Sequence, residues 1–243
     1  MLPRRFSHMT ELLYLDDAYM TSVTAAVEEI VPEGLVLDRT ILYPGGGGQD
    51  CDTGMLEFDG NTYEIAGMKR ISGKVVHLAA PNDIREGDNV TLALDWDRRY
   101  AMMKYHTSLH LLAYCAHADF GASITGNQIS EEKARIDLGL DELDSEMTER
   151  LVRETNELIA KDLRVDTRAV ARQEAERLVD PTKTRLDMLP SAIRSVRIVG
   201  IGNIDFDACG GTHVRSTREI GAIEATKTIN KGKGRKRMEI RLR

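Results

Sequence analysis

The chain has 243 residues, 42% hydrophobic and 30% charged, which is typical of a globular protein with one large or two modest domains. Its formal net charge of −6 gives no overall basic signature for nucleic acid. No apolar run is long enough for a membrane span, no secretory signal is visible, and three scattered cysteines make no disulfide framework. We therefore expect a cytoplasmic protein that does not enter a membrane.

Residues 1–95 have the pattern of β structure. Short β-rich runs alternate with turn signals such as Asp59-Gly60-Asn61. The predicted strands cover residues 11–15, 23–31, 34–40, 54–58, 62–71, 74–78 and 90–95. Many short strands at this spacing predict a small β-barrel domain over residues 1–95.

After Trp96 the pattern becomes a mixture of helices and strands. Asp95 is a candidate N-cap for a helix over residues 96–117, a stretch without Gly or Pro. Further helices are predicted over 145–163 and 170–179, and strands over 122–129, 133–138, 195–200, 221–229 and 235–242. The sequence therefore predicts an α+β second domain over residues 96–243.

Two pairs of candidate metal ligands lie about a hundred residues apart. His106 and His110 are four residues apart on the predicted helix, so both side chains lie on one helix face. Cys209 and His213 have the same spacing, but the two glycines after Cys209 disfavour a helix and favour a loop. Three imidazoles and one thiolate suit a single tetrahedral zinc ion.

A run of four glycines lies between Pro44 and Gln49. It is neither a P-loop, because no GK[ST] follows, nor a dinucleotide fingerprint, because no helix follows. Four consecutive glycines are costly in backbone entropy. The run is therefore either a wide turn at the barrel edge or a place where another backbone or a ligand approaches closely.

A concentrated basic segment ends the chain. Residues 227–243 contain eight Lys or Arg side chains and one acid, Glu239. The densest part holds Lys231, Lys233 and Arg235. It is either a solvated hairpin turn or a contact for the phosphate backbone of a nucleic acid, and one basic edge on an acidic protein favours a docking polyanion.

These motifs together resemble the editing domain of alanyl-tRNA synthetase. The resemblance rests on Leu37-Asp38-Arg39-Thr40 through the glycine run to Gln49, on His106-Thr107-Ser108-Leu109-His110, and on Cys209-Gly210-Gly211-Thr212-His213, in this order. The chain has no room for an aminoacylation domain, so it is similar to a freestanding AlaX-type trans-editing protein of the medium-length group. The fold implied is that of the threonyl- and alanyl-tRNA synthetase editing domains.

The resemblance implies hydrolysis of mischarged tRNA(Ala), with no requirement for ATP. The seryl ester is the chief substrate expected, the glycyl ester is left open, and the alanyl ester is spared. One zinc ion is implied, and Thr107 and Gln128 correspond by position to polar residues of the family's pocket. The implied ligands are His106, His110, Cys209 and His213. The residues implied to contact substrate or tRNA are Gly45, Gly46, Gly47, Gly48, Gln49, Ser130, Lys231, Lys233 and Arg235.

Other functions stay open at this point. Four protein ligands describe a closed structural zinc site, so a non-catalytic tRNA-binding module with structural zinc is the main alternative. A zinc protease of the HExxH type would need Glu where the chain has Thr107. Editing of threonyl-tRNA is a third possibility, against which the glycine run and the predicted barrel argue.

Overall fold

The computed structural model describes residues 9–181, 186, 190 and 193–243. The chain divides into two compact units. The first contains the chain up to Gly46 together with Asp50–Arg99, and the second contains Gly47–Gln49 with Tyr100–Arg243. Residues 1–8, with which the predicted first domain begins, lie outside the described residues.

The first unit is built of strands. These are β1 (Glu11–Leu12), β2 (Ser22–Val31), β3 (Gly34–Leu37), β4 (Arg39–Thr40), β5 (Gly54–Phe58), β6 (Asn61–Ile65), β7 (Met68–Ile71), β8 (Lys74–His77) and β9 (Asn89–Leu94). Seven of them form a sheet in the order β6-β5-β9-β2-β3-β8-β7, and its neighbours are antiparallel. Strands β1 and β4 pair in parallel.

Alternation of side chains explains the core of this unit. In β9, Val90, Leu92 and Leu94 are buried, whereas the residues between them are not. Leu92 lies opposite Leu56 of β5, which is also fully buried. Because successive residues of a strand point to opposite faces, these leucines meet on the inner face. Each such burial contributes about 1.5–3 kcal/mol.

A buried ion pair ties together the ends of the segment that carries the glycines. Arg99 and Asp52 are fully buried, and the Arg99 guanidinium donates to both oxygens of the Asp52 carboxylate and to the carbonyl of Ile41. Asp52 also accepts from the Tyr43 N–H at 2.6 Å and donates its own N–H to the Tyr43 carbonyl at 3.0 Å. The hydroxyl of Tyr43 donates to the carbonyl of Gly46 at 2.8 Å, so the start of the glycine run is held.

The second unit contains helices and two further sheets. Its helices are α1 (Trp96–Phe120, which begins within the first unit), α2 (Ser145–Ala160) and α3 (Arg172–Leu178). Its strands are β10 (Ser123–Ile129), β11 (Ala134–Gly139), β12 (Val165–Ala171), β13 (Ser195–Ile201), β14 (Asp205–Ala208), β15 (Ile223–Asn230) and β16 (Lys236–Leu242). The sheet orders are β10-β11-β16-β15 and β12-β13-β14. Among the described residues, every helix is too short or too polar to span a lipid bilayer.

Helix α1 confirms the predicted ligand helix and its cap. The side chain of Asp95 accepts from the Arg98 N–H at 3.2 Å, which satisfies one of the free donors at the helix start. The helix runs three residues beyond the predicted end. Met102, Leu111 and Ala116 are fully buried, so tertiary packing stabilises the helix along its length.

Several predicted elements differ from the structure. The predicted strand over 62–71 is two strands, β6 and β7, separated at Ala66 and Gly67, and that over 11–15 is β1 followed by a 3₁₀ turn. The helix predicted over 145–163 ends at Ala160, because Asp162 adopts a left-handed φ of 54°. The helix predicted over 170–179 is wrong at its start, where strand β12 was missed.

Strand β12 forms because it pairs with a strand that is distant in the chain. Five of its seven residues are not buried, and the pattern has no clear apolar alternation. All seven residues nevertheless pair with β13, from Val165 opposite Ile201 to Ala171 opposite Ser195. Pairing with a distant strand outweighs the weak local preference here.

Candidate metal centre

The middle of helix α1 presents both of its candidate ligands on one face. His106 and His110 are one turn apart, and their ring centroids are separated by 5.3 Å. A regular helix without Gly or Pro keeps this spacing rigid. Helix α1 therefore supplies two imidazoles whose separation does not depend on any loop.

The second pair lies in a loop, as predicted. Strand β14 ends at Ala208, and Cys209 through His213 lie outside helix and strand. Arg197 of β13 shapes this loop, because its Nη1 donates to the carbonyls of Cys209 at 2.7 Å and of Gly211 at 3.0 Å. The Cys209 N–H also donates to the Arg197 carbonyl at 3.1 Å.

The four candidate ligands converge. One ligand atom from each of His106, His110, Cys209 and His213 lies within 4.8 Å of the others. The Sγ of Cys209 is 3.5 Å from Nε2 of His106 and 3.4 Å from Nε2 of His213. Zinc bonds to sulfur and nitrogen at tetrahedral angles place those atoms about 3.5 Å apart. The donor set and its spacing therefore fit a tetrahedral metal ion.

Two imidazoles are held from behind through Nδ1 by neutral groups. Nδ1 of His106 lies 2.8 Å from Oε1 of Gln49, and Nδ1 of His213 lies 3.1 Å from the Thr107 hydroxyl. Such partners orient a ligating ring and determine which nitrogen carries the proton. Both rings consequently direct Nε2 toward Cys209.

Two carboxylates lie behind the third imidazole. Nδ1 of His110 lies 3.4 Å from Oδ2 of Asp205 and 3.5 Å from Oδ2 of Asp207. Both aspartates lie on β14, two residues apart and therefore on one face of the strand. A carboxylate behind a metal-bound histidine raises the basicity of the ligand.

Electrostatics favour the ligand forms of two groups. Burial raises the pKa of Cys209, but the imidazoles of His106 and His213 outweigh burial and hold it well below the usual value. Burial, followed by the effect of His106, lowers the pKa of His213 to about 3. A thiolate and a neutral imidazole are the forms that bind a metal.

His110 differs in its electrostatics. Burial lowers its pKa, but Asp205 and Asp207 together hold the pKa well above the usual value. The carboxylates therefore stabilise positive charge on the His110 ring.

Thr107 is fully buried within this cluster. Besides its contact with His213, its hydroxyl donates to the Met103 carbonyl at 3.0 Å and accepts from the Val214 N–H at 3.4 Å. It therefore lies beside the ligands, as its position between the two histidines implies.

The other predicted site residues lie on neighbouring elements. Gln128 is exposed on β10 opposite Arg135, and the Ser130 hydroxyl donates to the Lys133 carbonyl at 2.9 Å just beyond that strand. The three predicted cations are exposed in the turn between β15 and β16. They are Lys231, Lys233 and Arg235.

Sequence reasoning missed Arg197, Asp205 and Asp207. A signal existed for the two aspartates, because their i, i+2 spacing on a strand just before a ligand cysteine places two carboxylates on one face. Arg197 had no local signal, since its contact with the Cys209 loop depends on the pairing of β13 with β14.

Comparison with known proteins agrees with this architecture. Residues 7–98 match the family described as tRNA synthetases class II (A), and residues 196–239 match the threonyl and alanyl tRNA synthetase second additional domain. An alanine–tRNA ligase of Pyrobaculum neutrophilum is 35% identical over 90% of this chain and 25% of the ligase.

Two relatives match along nearly their whole length. The alanyl-tRNA editing protein AlaX-M of Methanosarcina barkeri is 38% identical over 95% of this chain and 98% of its own. The protein of the same name from Saccharolobus solfataricus is 41% identical over the same shares. The chain therefore belongs to the AlaX-M family of alanyl-tRNA editing proteins.

Proposed function

We propose that this protein hydrolyses mischarged tRNA(Ala) in trans, chiefly Ser-tRNA(Ala), and spares Ala-tRNA(Ala). The observation that carries the proposal is the convergence of His106, His110, Cys209 and His213 in a chain that belongs to a family named for alanyl-tRNA editing. Editing here means cleavage of the ester between the amino acid and the terminal ribose. This substrate implies an aminoacyl-tRNA deacylase that works in the cytoplasm and needs no ATP.

We propose that the four ligands hold one zinc ion. Zinc at this position supplies Lewis acidity for the ester carbonyl or for water. Gln49 and Thr107 hold two of the imidazole rings from behind, and the two aspartates of β14 lie behind the third. The ligands on the more exposed side of the set are His110 and Cys209, which are partly exposed, whereas His106 and His213 are buried.

Selectivity must rest on one hydroxyl, since serine and alanine differ by nothing else. A site built to hydrogen-bond a substrate hydroxyl rejects the analogue that lacks it by about 10⁴-fold or more. Thr107 and Gln128 are the residues we propose for this contact. The glycyl ester has no side chain to bind, so it would be accepted by size alone and its hydrolysis would be slower.

We propose that the basic turn between β15 and β16 binds the tRNA phosphates. Lys231, Lys233 and Arg235 are exposed there, and an exposed cationic turn on an acidic protein favours a polyanion. For Ser130 and the glycine run, contact with the charged end of the tRNA remains a prediction.

The domain organisation is also part of the proposal. We propose a small β-barrel over residues 1–95 and a zinc-binding editing domain over residues 96–243. In support, the two edge strands of the seven-stranded sheet are β6 and β7, which are consecutive in the chain. The chain therefore passes directly from one edge of this sheet to the other, as it would in a sheet that curves toward closure.

The alternative is a non-catalytic tRNA-binding module with structural zinc. The observation that favours it is the number of protein ligands, because four protein ligands are typical of structural zinc sites. Both functions require the metal and the tRNA, so only turnover distinguishes them.

The test is deacylation of Ser-tRNA(Ala), Gly-tRNA(Ala) and Ala-tRNA(Ala) by the purified, zinc-loaded protein. Variants His106→Ala, Cys209→Ala and Gln128→Ala are compared with Cys51→Ser, a partly buried cysteine outside the ligand set. We expect rapid loss of the seryl ester, survival of the alanyl ester, inactive ligand variants, reduced turnover in Gln128→Ala and an active Cys51→Ser control. If no ester is hydrolysed by protein that binds zinc and tRNA, the binding module is the correct account.

A further inference from the structure

The glycine run has a conformation that only glycine adopts readily. Gly45, Gly46, Gly47 and Gly48 have φ values of 81°, 127°, 56° and 89°, all in the left-handed range. A Cβ on Gly48 would lie 1.6 Å from Oδ1 of Asn127 and 2.8 Å from its carbonyl oxygen. At Gly48 the run is therefore a place of close approach to another backbone, which was one of the two interpretations left open by the sequence.

The close approach at Gly48 also joins Gln49, the residue after the glycine run, to strand β10. The Ile129 N–H donates to the Gly48 carbonyl at 2.7 Å, and Gln49 forms a parallel bridge with Ile129. These contacts fix the backbone from which the Gln49 side chain extends.

The side chain of Gln49 is buried, with 2% of its surface exposed. Its Nε2 lies 2.9 Å from the Thr212 hydroxyl, and its Oε1 lies 3.2 Å from the Thr212 backbone nitrogen and 2.8 Å from Nδ1 of His106. Both polar atoms of the Gln49 amide are therefore engaged at the candidate metal centre.

The hydrogen bonds determine where the protons lie. The backbone N–H of Thr212 can only donate, so the Gln49 atom facing it is the acceptor oxygen. Nδ1 of His106 faces the same oxygen and must therefore donate its own hydrogen. A neutral imidazole with its proton on Nδ1 has its lone pair on Nε2, the atom 3.5 Å from the sulfur of Cys209.

We propose that Gln49 is a positioning residue of the metal centre, which sets the Nδ1–H tautomer of His106 and links that ligand to the Cys209–His213 loop through Thr212. This inference rests on the proposed function, because it assumes that the four ligands hold zinc. It also assigns a task to the glycine run, namely to bring Gln49 to the back of His106.

The variants Gln49→Met and Gln49→Glu distinguish the loss of the hydrogen-bond acceptor from a change in side-chain packing. Methionine fills a similar volume without an acceptor, whereas glutamate keeps an oxygen for His106. Gln173→Met is the matched control, since Gln173 is exposed on helix α3 and outside the ligand set. Zinc affinity is measured by competition with a chelator, and the melting temperature of each zinc-free variant is measured beside it.

We expect Gln49→Met to bind zinc about 10- to 100-fold more weakly, as is usual when the partner behind a ligand is lost. The zinc affinity of Gln49→Glu should remain within a few-fold of that of the parent protein, and Gln173→Met should bind zinc as the parent does. A purely structural role would lower the melting temperature of the zinc-free protein without this difference between Met and Glu. Unchanged zinc affinity in Gln49→Met, or equal losses in Met and Glu, would overturn the proposal.

A second measurement does not depend on the variants folding. Nitrogen-15 NMR of the zinc-loaded parent protein, with labelled histidine, reports which ring nitrogen of His106 carries hydrogen. We expect the proton on Nδ1, and a proton on Nε2 would overturn the proposal. A parent protein that binds zinc but hydrolyses no ester would end the enzyme proposal and leave the role of Gln49 intact, so the two failures are distinguishable.

Discussion

The candidate metal centre is packed so closely that, of two adjacent glycines in its loop, one has no space for a side chain and the other has ample space. A Cβ on Gly211 would lie 2.2 Å from Cε1 of His106, 2.5 Å from its Nδ1 and 2.9 Å from Oε1 of Gln49. A Cβ on Gly210 would meet no atom within 4 Å. The close approach of backbone to ligand ring thus requires glycine at one position of the pair and not at the other.

We predict that Gly211→Ala displaces the His106 ring and weakens zinc binding by about tenfold or more, since the ring loses its alignment with Gln49. Overpacking should also reduce the free energy of unfolding by about 1–3 kcal/mol. Gly210→Ala is the control and should leave both quantities nearly unchanged. Equal zinc affinity in the two variants, measured by chelator competition, would contradict this account of the packing.

Among the elements, strands β3 and β8 meet around a buried histidine in the first unit. His77 lies opposite Leu35 and is fully buried. Its Nε2 lies 2.8 Å from the Thr40 hydroxyl, and its Nδ1 lies 3.2 Å from the Leu35 carbonyl. Burial lowers the pKa of His77 to about 4, although the Leu35 carbonyl acts in the opposite direction. The folded unit therefore requires neutral histidine at this point of the sheet.

The pH dependence of stability follows with a definite sign. The unfolded chain binds a proton at His77 below pH about 6.5, whereas the folded chain does so only near pH 4. The contribution of neutral His77 is therefore complete above pH 6.5 and is lost as pH falls from 6.5 to 4. The loss should reach about 3.5 kcal/mol at most, taking about 1.4 kcal/mol per unit of pKa.

The measurement is chemical unfolding between pH 7 and pH 4, with chelator present so that metal binding does not contribute. Parent protein and His77→Gln are compared, and the dependence on pH rather than the absolute stability is read. We expect the free energy of unfolding to fall less between pH 7 and pH 4 in His77→Gln than in the parent protein, by up to the loss assigned to His77. Parallel curves for the two proteins would show that His77 does not titrate with a lowered pKa.

For the whole molecule, the proposed metal joins segments that are remote in the chain. His106 and Cys209 are separated by more than a hundred residues, and unfolding separates them. A ligand that binds only the folded state stabilises it by about 4 kcal/mol when its concentration is 1,000 times the dissociation constant. Zinc should therefore affect the stability of the fold as well as turnover.

We predict that chelation lowers the melting temperature of the parent protein, measured by calorimetry at fixed protein concentration. Cys209→Ala lacks one ligand and should show a much smaller shift on chelation. The same shift in both proteins would mean that the stabilising metal lies elsewhere or that the chelator acts directly on the chain.

Local sequence was sufficient for features that near neighbours encode. The Asp95 cap, the absence of Gly and Pro after it, and the spacing of His106 and His110 predicted the ligand helix. The strand over residues 54–58 was predicted with the bounds it has in the structure, because turn residues delimit it on both sides. The two glycines after Cys209 also predicted the loop that carries Cys209 and His213.

Only the tertiary structure decided which groups lie behind the ligands. Gln49 comes from a glycine run, Asp205 and Asp207 from β14 and Arg197 from β13, and their contacts depend on strand register and on loops that meet across the chain. Strand β12 could not be predicted for the same reason, because its residues show little alternation and form a strand by pairing with β13. Periodicity, caps and ligand spacing are properties of residues within one or two turns of each other, so the sequence alone determined them. Hydrogen bonds between distant segments depend on how those segments pack, and no local pattern records that packing.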